Sequence, residues 1–487
     1  MDSVFIKTAI GSKKTAENVY KRARRVVPAY KHFLETQGFK GREPFDMLPV
    51  SDKESYALAY PFEELLADER EKIFAISRSS GSSGNSFYWP ILKSTNRFVV
   101  LKSRIFLERA FAVHKKKTLA IVGLSLGSWL GGESYSWALK SMAVSTPYPF
   151  LVFSPGNHHD EIIEIIGKMN PFVEQIILFL VPSAIAHLHL KASQLNQSLP
   201  LEKLRYIVVG EPFPESIRIS LQNSAGIPED TTFMLSMYAS ADTGGLGTES
   251  PATVALRKLL HRNKYLAHSL GIESPIPLFF HCIANDAYLE TINGQFCVTR
   301  WQGIPLVRYI LYDQVALYSW KKLKKAIVTS KHLDSQDAAL VKIISNASRL
   351  LPDIIAVTGR ADSCLIVNGT NITEYMLDET VKCYELQGIL TGLYRASIIY
   401  EEDRQYLQLD LEIRQGVVTD EATIEQIYKF LVQTLGRVQP EFLDDWKNIY
   451  SVWDSDPTKR ILKLNLLPWP SLSQTTETNI KQRGIVK

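Results

Sequence analysis

The pattern of apolar and polar positions divides the chain into three stretches. Up to about Pro44, Tyr20, Ala23 and Val27 recur at helical spacing among lysines and arginines, which predicts helix. Phe45 to Asp52 reads as a loop, with Ser51 or Asp52 placed to cap a helix through Glu54 and Tyr56. Ile73-Phe74-Ala75-Ile76 then reads as a short buried strand. From about Thr95 to Val315, helical stretches alternate with short apolar runs at 119–122, 176–180, 206–209 and 233–237. Such alternation predicts layered α/β structure. Ile304 to Tyr309 is strand-like, and 321–350 is largely helical with interruptions at Ser330 and Asp334.

A second unit starts near Gly359-Arg360-Ala361-Asp362. Beyond it, 366–367, 388–394, 396–400 and 406–413 read as strands and 421–435 as a helix, a compact α+β set. The expected fold is therefore α/β: a large N-terminal layered α/β domain over residues 1–359 and a small, mobile C-terminal α+β domain over 360–487. The tail from Pro468 through Ser471, Ser473, Thr475 and Thr476 is polar and expected to be mobile. It ends in the basic segment Lys481 to Lys487.

Composition narrows the function classes. At 487 residues the chain exceeds one ordinary domain. Its net charge of +4 is spread over 55 basic and 51 acidic side chains, so no nucleic-acid partner is expected. The N-terminus lacks the apolar core of a signal peptide, and the longest apolar run, Ile176 to Ile185, is broken by Pro182 and too short to span a bilayer. Cys282, Cys297, Cys364 and Cys383 form no CxxC pair, which points to free thiols in a reducing compartment. The expectation is a cytoplasmic protein with no membrane partner.

The chemistry starts at Ser79-Ser80-Gly81-Ser82-Ser83-Gly84, which packs four hydroxyls and two glycines into six residues. Glycines let backbone amides approach an anion, and serine hydroxyls add adjustable donors. Composition alone suits a flexible linker equally well. Its position after a strand and before Phe87-Tyr88-Trp89 favours a phosphate cradle. Further along, Tyr206 to Val209 ends in Gly210-Glu211-Pro212, at the strand end where open α/β sheets bind ligands. Tyr238-Ala239-Ser240-Ala241-Asp242 sets a ring and an acid four residues apart, with Gly244, Gly245 and Gly247 after them. Leu306 to Tyr309 leads into Tyr312-Asp313, a carboxylate suited to ribose hydroxyls or to capping a helix.

In this order and spacing these segments resemble the adenylate-forming superfamily of acyl-CoA ligases and carrier-loading adenylation domains. The likeness is strongest to its phenylacetate-CoA ligase branch, whose opening Met47-Leu48-Pro49-Val50-Ser51-Asp52-Lys53 and Tyr60-Pro61-Phe62 resemble. The resemblance runs from about residue 20 to the C-terminus. It implies ATP-dependent activation of a carboxylic acid as an acyl-adenylate, then transfer to a thiol of CoA or a carrier protein. It implies that Ser79, Ser80, Gly81, Ser82, Ser83 and Gly84 hold the β- and γ-phosphates of ATP, and that Gly210, Glu211 and Pro212 flank the adenine. Tyr238 would pack on the adenine ring, Asp242 would help hold Mg²⁺, Asp313 would bind the ribose, and Arg360 would lie near ribose and phosphate. Asp362 would be the hinge of the small domain. Lys481, with Lys487 as the alternative, would contact the carboxylate and α-phosphate. A homodimer is the candidate assembly.

Departures from the family pattern are local. Ala239, Ala241 and Asp242 stand for its Gly, Thr and Glu, Tyr312 stands for a Gly, and the C-terminal lysine lacks a preceding glycine. Asp is one methylene shorter than Glu, so a Mg²⁺ site there shifts or recruits water. Trp129, Gly131, Gly132, Tyr135 and Trp137, with His158 and His159, are candidates for the acyl pocket, alongside ordinary packing or surface roles. Two alternatives stand beside the thiol ligase: an acyl-protein synthetase or amide-forming ligase, and a degenerate adenylating fold that binds nucleotide or acyl ligands without turnover.

Overall fold

The computed structural model describes residues 5–66, 73–78, 87–127, 130–210, 212–273, 275–360, 364–367, 370–401, 404–439, 442–443, 446–451 and 454–473. They form two compact units. The first takes residues 1–210, 230–256 and 279–356, and the second takes 211–229, 257–278 and 357–487. Two segments from mid-chain, 211–229 and 257–278, thus pack with C-terminal residues. The chain passes between units at 356/357, inside the Ile354–Arg360 strand.

In the first unit, the helical reading of the N-terminal stretch matches two helices. Lys13–Val26 buries Ala16, Val19, Tyr20 and Ala23, a single apolar stripe on an otherwise basic helix. Pro28–Thr36 begins on Pro28, whose fixed φ suits a first helical turn. Asp52 does cap a helical turn, Lys53–Ala57, and its carboxylate accepts from Ser55 N at 2.7 Å.

A ten-stranded sheet forms the core. Its order is Ile6–Lys7, Asp313–Tyr318, Ile354–Arg360, Leu278–Cys282, Gly244–Thr248, Met234–Ser240, Leu204–Val209, Gln175–Leu180, Thr118–Val122 and Phe150–Phe153. The last five strands pair in parallel, joined by helices. Their continuous apolar runs follow from burial on both faces, as Thr118–Val122 and Gln175–Leu180 show by being buried throughout. One face carries Leu107, Phe111, Leu139 and Met142 against Ala120, Ile177, Ile207 and Leu235. A smaller four-stranded sheet orders Leu306–Ile310, Gln295–Arg300, Ala287–Ile292 and Ala9–Ile10. The predicted break between 321 and 350 is present. Trp320–Val328 and Ala338–Asn346 are separate helices, and Asp334 caps the turn between them through Gln336 N and Asp337 N.

The 73–76 run needs correction. Ile73–Arg78 is a strand, but it pairs with Tyr88–Leu92 in a two-stranded sheet, and Ile73, Phe74 and Ile76 are 38%, 47% and 53% exposed. Four consecutive apolar residues carry no period, so they do not say which face is covered.

The second unit packs Glu421–Val438 through Ile427, Leu431 and Leu435 onto a three-stranded sheet of Leu390–Glu401, Arg404–Ile413 and Leu462–Leu467. The last strand runs parallel to its neighbour. The expected mobility of the tail from Pro468 does not hold for its first residues. Leu472 is buried, and the fully buried Glu412 carboxylate accepts from Leu472 N at 2.6 Å and Ser473 N at 2.9 Å. The Ser473 hydroxyl adds a third bond at 2.5 Å.

Candidate active site

The parallel strands of the first unit end where the sequence motifs lie. Leu204–Val209 stops at Gly210, whose φ of +101° lies in the left-handed region. A Cβ there meets only Val181 Cγ1 at 3.5 Å, so the backbone conformation rather than space calls for glycine. Val209 pairs with Met237, which sets Gly210 beside Tyr238 on the next strand. Pro212 belongs to the second unit, and Glu211 lies outside the described residues.

Tyr238 stacks on Phe280, with ring centroids 5.5 Å apart and planes 28° apart. Its hydroxyl donates to Asp313 Oδ2 at 2.5 Å. Gly247 makes this approach possible: a Cβ there falls 2.6 Å from Phe280 Cβ. Asp313 is buried at the start of its strand, so the structure brings Tyr238 and Asp313 together.

Asp242 sits in the turn between Met234–Ser240 and Gly244–Thr248. Its carboxylate accepts from the Tyr309 hydroxyl at 2.7 Å. Gln302 Nε2 donates to its backbone carbonyl at 2.5 Å, and Arg300 donates to Thr243 O at 2.6 Å while pairing with Asp286 at 2.9 Å. Tyr309 is fully buried; burial first, then the adjacent Asp242, pushes its phenol well above the usual range.

A third pairing joins the Tyr312 hydroxyl to the Asp52 carboxylate. Tyr312 takes a φ of +57°, in the left-handed region that glycine enters most readily. Burial alone raises the Asp52 pKa, but bonds from Ser55 and Tyr312 overcome it and hold the carboxyl below the usual range. The 47–53 segment lies along the strand before Asp313: Ser51 bridges Tyr309, Ile310 N donates to Ser51 O at 2.8 Å, and Arg308 donates to Leu48 O at 2.5 Å. The opening motif and the ribose motif are thus neighbours across more than 250 residues.

Tyr309, Arg300, Gln302 and Asp52 were not singled out as site residues from sequence. Their roles depend on which strands pair, and only the tyrosines at 309 and 312 flanking the Asp313 motif offered a signal. Ser79 to Gly84, Asp362, Lys481 and Lys487 lie outside the described residues, as does the side chain of Arg360. Among the acyl-pocket candidates, Gly131 and Gly132 lie in the first turn of the Leu130–Ser145 helix, Tyr135 donates to Met237 Sδ at 3.0 Å, and Trp137 is partly exposed against Phe74. Trp129 lies outside the described residues. His158 precedes and His159 begins the His159–Met169 helix. Among the described residues, no three His, Cys, Asp or Glu side chains are grouped to hold a metal ion. No helix there is long and apolar enough to cross a membrane.

No family profile matches the chain, and no curated protein matches it in sequence. Solved structures do match. A 2-hydroxyisobutyryl-CoA ligase in its postadenylation state aligns with a TM-score of 0.64 at 14% identity, covering 97% of this chain and 88% of the ligase. A GH3.15 acyl acid amido synthetase aligns with a TM-score of 0.60 at 11% identity, covering 98% and 91%. The same synthetase in complex with 2,4-DB gives 0.58 at 11% identity, covering 97% and 92%. Over nearly its whole length, the chain has the adenylate-forming fold.

Proposed function

We propose that the chain uses ATP to adenylate a carboxylic acid and then passes the acyl group to a thiol, of CoA or of a carrier protein. The observation that carries this reading is the Tyr238–Asp313 pair at the carboxyl edge of the parallel strands, in a fold that covers 88% of the CoA ligase chain. The Tyr238 ring offers a platform for adenine, and Asp313 a carboxylate for ribose hydroxyls. Ser79 to Gly84 would cradle the β- and γ-phosphates, with Gly210, Glu211 and Pro212 beside the base and Arg360 near the ribose.

Carboxylate oxygen attacks the α-phosphorus and pyrophosphate leaves, giving a mixed anhydride. A thiol then attacks its carbonyl and AMP leaves. Charge grows on phosphate oxygens in the first step, so positioned donors and cations matter most. Lys481, or Lys487, would supply a compact cation that travels with a C-terminal domain beginning at 360 and hinged at Asp362. A single carboxylate at Asp242 fits Mg²⁺, which is usually held by one or two carboxylates and the substrate phosphates. When bound with ATP, it would neutralise phosphate charge. Tyr309 and Gln302 keep that carboxylate aimed from the turn.

The free, buried thiols of Cys282, Cys297 and Cys383 support a reducing, cytoplasmic setting. An amine acceptor is the second reading, favoured by the match to the amido synthetase. The test is pyrophosphate release across aryl, fatty and amino acids, with CoA and amines offered as acceptors. Acid-dependent release with thioester formation is the expected result. ATP binding without release for any acid would favour the non-catalytic binding fold instead.

A further inference from the structure

The second unit holds a charge cluster with no part in the chemistry above. Glu215, Arg218 and Arg257 are all buried. Arg257 donates to Glu215 Oε2 at 3.1 Å, to Phe213 O at 2.8 Å and to the Tyr375 hydroxyl at 2.9 Å. Arg218 Nε lies 3.6 Å from Glu215 Oε1. The Tyr375 hydroxyl reaches Glu379 Oε1 at 3.3 Å. Both carboxylates therefore already face internal donors.

Beside this cluster is a cavity of ≈ 80 Å³, with Arg257, Glu215 and Glu379 in its wall and His261, Lys264 and Arg437 around it. Lys264 and Arg437 are exposed, so the cavity opens to solvent, and neither has an ion-pair partner among the described residues. Among the described residues lining the cavity, three cations (Arg257, Lys264 and Arg437) face two carboxylates (Glu215 and Glu379), a surplus of one positive charge. Protonation of Glu379, whose pKa burial raises, would only enlarge that surplus. His261 reports the same field: burial first, then Lys264, Arg257 and Arg437, push its imidazole down to about 4.

We propose that this cavity binds a phosphate group. A guanidinium in the wall and a lysine and a second guanidinium at the rim suit a tetrahedral oxyanion. The volume is well below the ~300 Å³ of a small-molecule pocket, so it takes one anionic group and not a whole ligand. Such an anion would tie the 257–278 segment to the end of the Glu421–Val438 helix, within one unit. This site stands or falls independently of the adenylation reading.

The test is calorimetric titration of the full chain with inorganic phosphate, adenosine 3′,5′-bisphosphate and acetate in low-salt buffer. Saturable phosphate binding is expected, weakened at least about tenfold in Lys264→Met/Arg437→Gln. Lys429→Ala, on an exposed part of the same helix, should bind as the parent does. A histidine-resolved NMR titration should show the His261 midpoint rising by about one pH unit with phosphate, since the anion offsets its cationic neighbours. Tighter binding of the bisphosphate would identify a nucleotide-borne phosphate, and equal binding a free anion; both support the site. No binding, binding untouched by the double variant, or acetate binding as tightly as phosphate would overturn it.

Discussion

Three tyrosine–aspartate pairs organise the candidate site: Tyr238 with Asp313, Tyr309 with Asp242 and Tyr312 with Asp52. Two consequences belong to single residues. Asp313→Ala should weaken ATP binding about 10- to 100-fold, the loss of a charged hydrogen-bonding group, measured by calorimetry on a variant with parental circular dichroism. Unchanged affinity would remove Asp313 from the ribose site. Tyr309→Phe keeps the ring and deletes the donor to Asp242. It should cut turnover about tenfold and raise the Mg²⁺ concentration needed for half-maximal rate. An unaltered Mg²⁺ dependence would make Tyr309 merely structural. The motif aspartates and Tyr238 were legible in the sequence because each sits next to a strand end or a run of glycines. The pairing of Tyr309 with Asp242 and of Tyr312 with Asp52 was not. The Asp242 partner lies 67 residues away and the Asp52 partner 260, and only strand pairing brings them close.

At the scale of elements, the parallel strands were readable because strands buried on both faces appear as unbroken apolar runs. The hairpin Ala287–Ile292/Gln295–Arg300 was missed, although Asn293-Gly294 carries the positive φ values of a two-residue turn and is its sequence signal. Leu462–Leu467 was missed although Leu462, Leu464 and Leu466 alternate with Lys463 and Asn465 at strand period; only Leu462 of the six is buried. The tail was misjudged because its tether is Glu412, a carboxylate about 60 residues upstream. Glu412→Ala leaves buried N–H groups unpaired and should destabilise the second unit by about 3 kcal/mol. Glu412→Gln, which keeps an acceptor, should cost about half as much. Urea unfolding followed at Trp469 fluorescence measures both, and equal stability of all three proteins would refute the tether.

For the molecule as a whole, stability and turnover separate. His281 is buried, with Nδ1 2.7 Å from Pro352 O and its ring edge-on to Trp320. Burial pushes its imidazole down to about 4, against weaker upward pulls from Pro352 and Asp353. The unfolded chain therefore binds the extra proton first. The neutral-imidazole contribution is complete above pH ~6.5 and is lost as pH falls towards 4, on the order of 3 kcal/mol in all. His281→Asn should flatten the stability profile across that window, and an unchanged slope would assign it to other groups. On the proposed reading, turnover depends instead on the C-terminal lysine. Lys481→Ala should slow adenylate formation at least about 100-fold while sparing thioester formation from preformed adenylate. Equal losses in both half-reactions would sink the assignment. That 211–229 and 257–278 join the C-terminal residues is announced by no local pattern, because the contacts are distant in sequence.

The Tyr312 clasp also bears on how such a chain diversifies. A tyrosine in the left-handed region costs roughly 1–2 kcal/mol against glycine, and its bond to Asp52 offsets that cost. Replacing Tyr312 by glycine alone recovers backbone ease but leaves Asp52 only its Ser55 bonds; changing Asp52 alone keeps the strain and drops its compensation. The two positions are therefore locked in sign epistasis. Among descendants of this sequence, they should be replaced jointly or retained jointly.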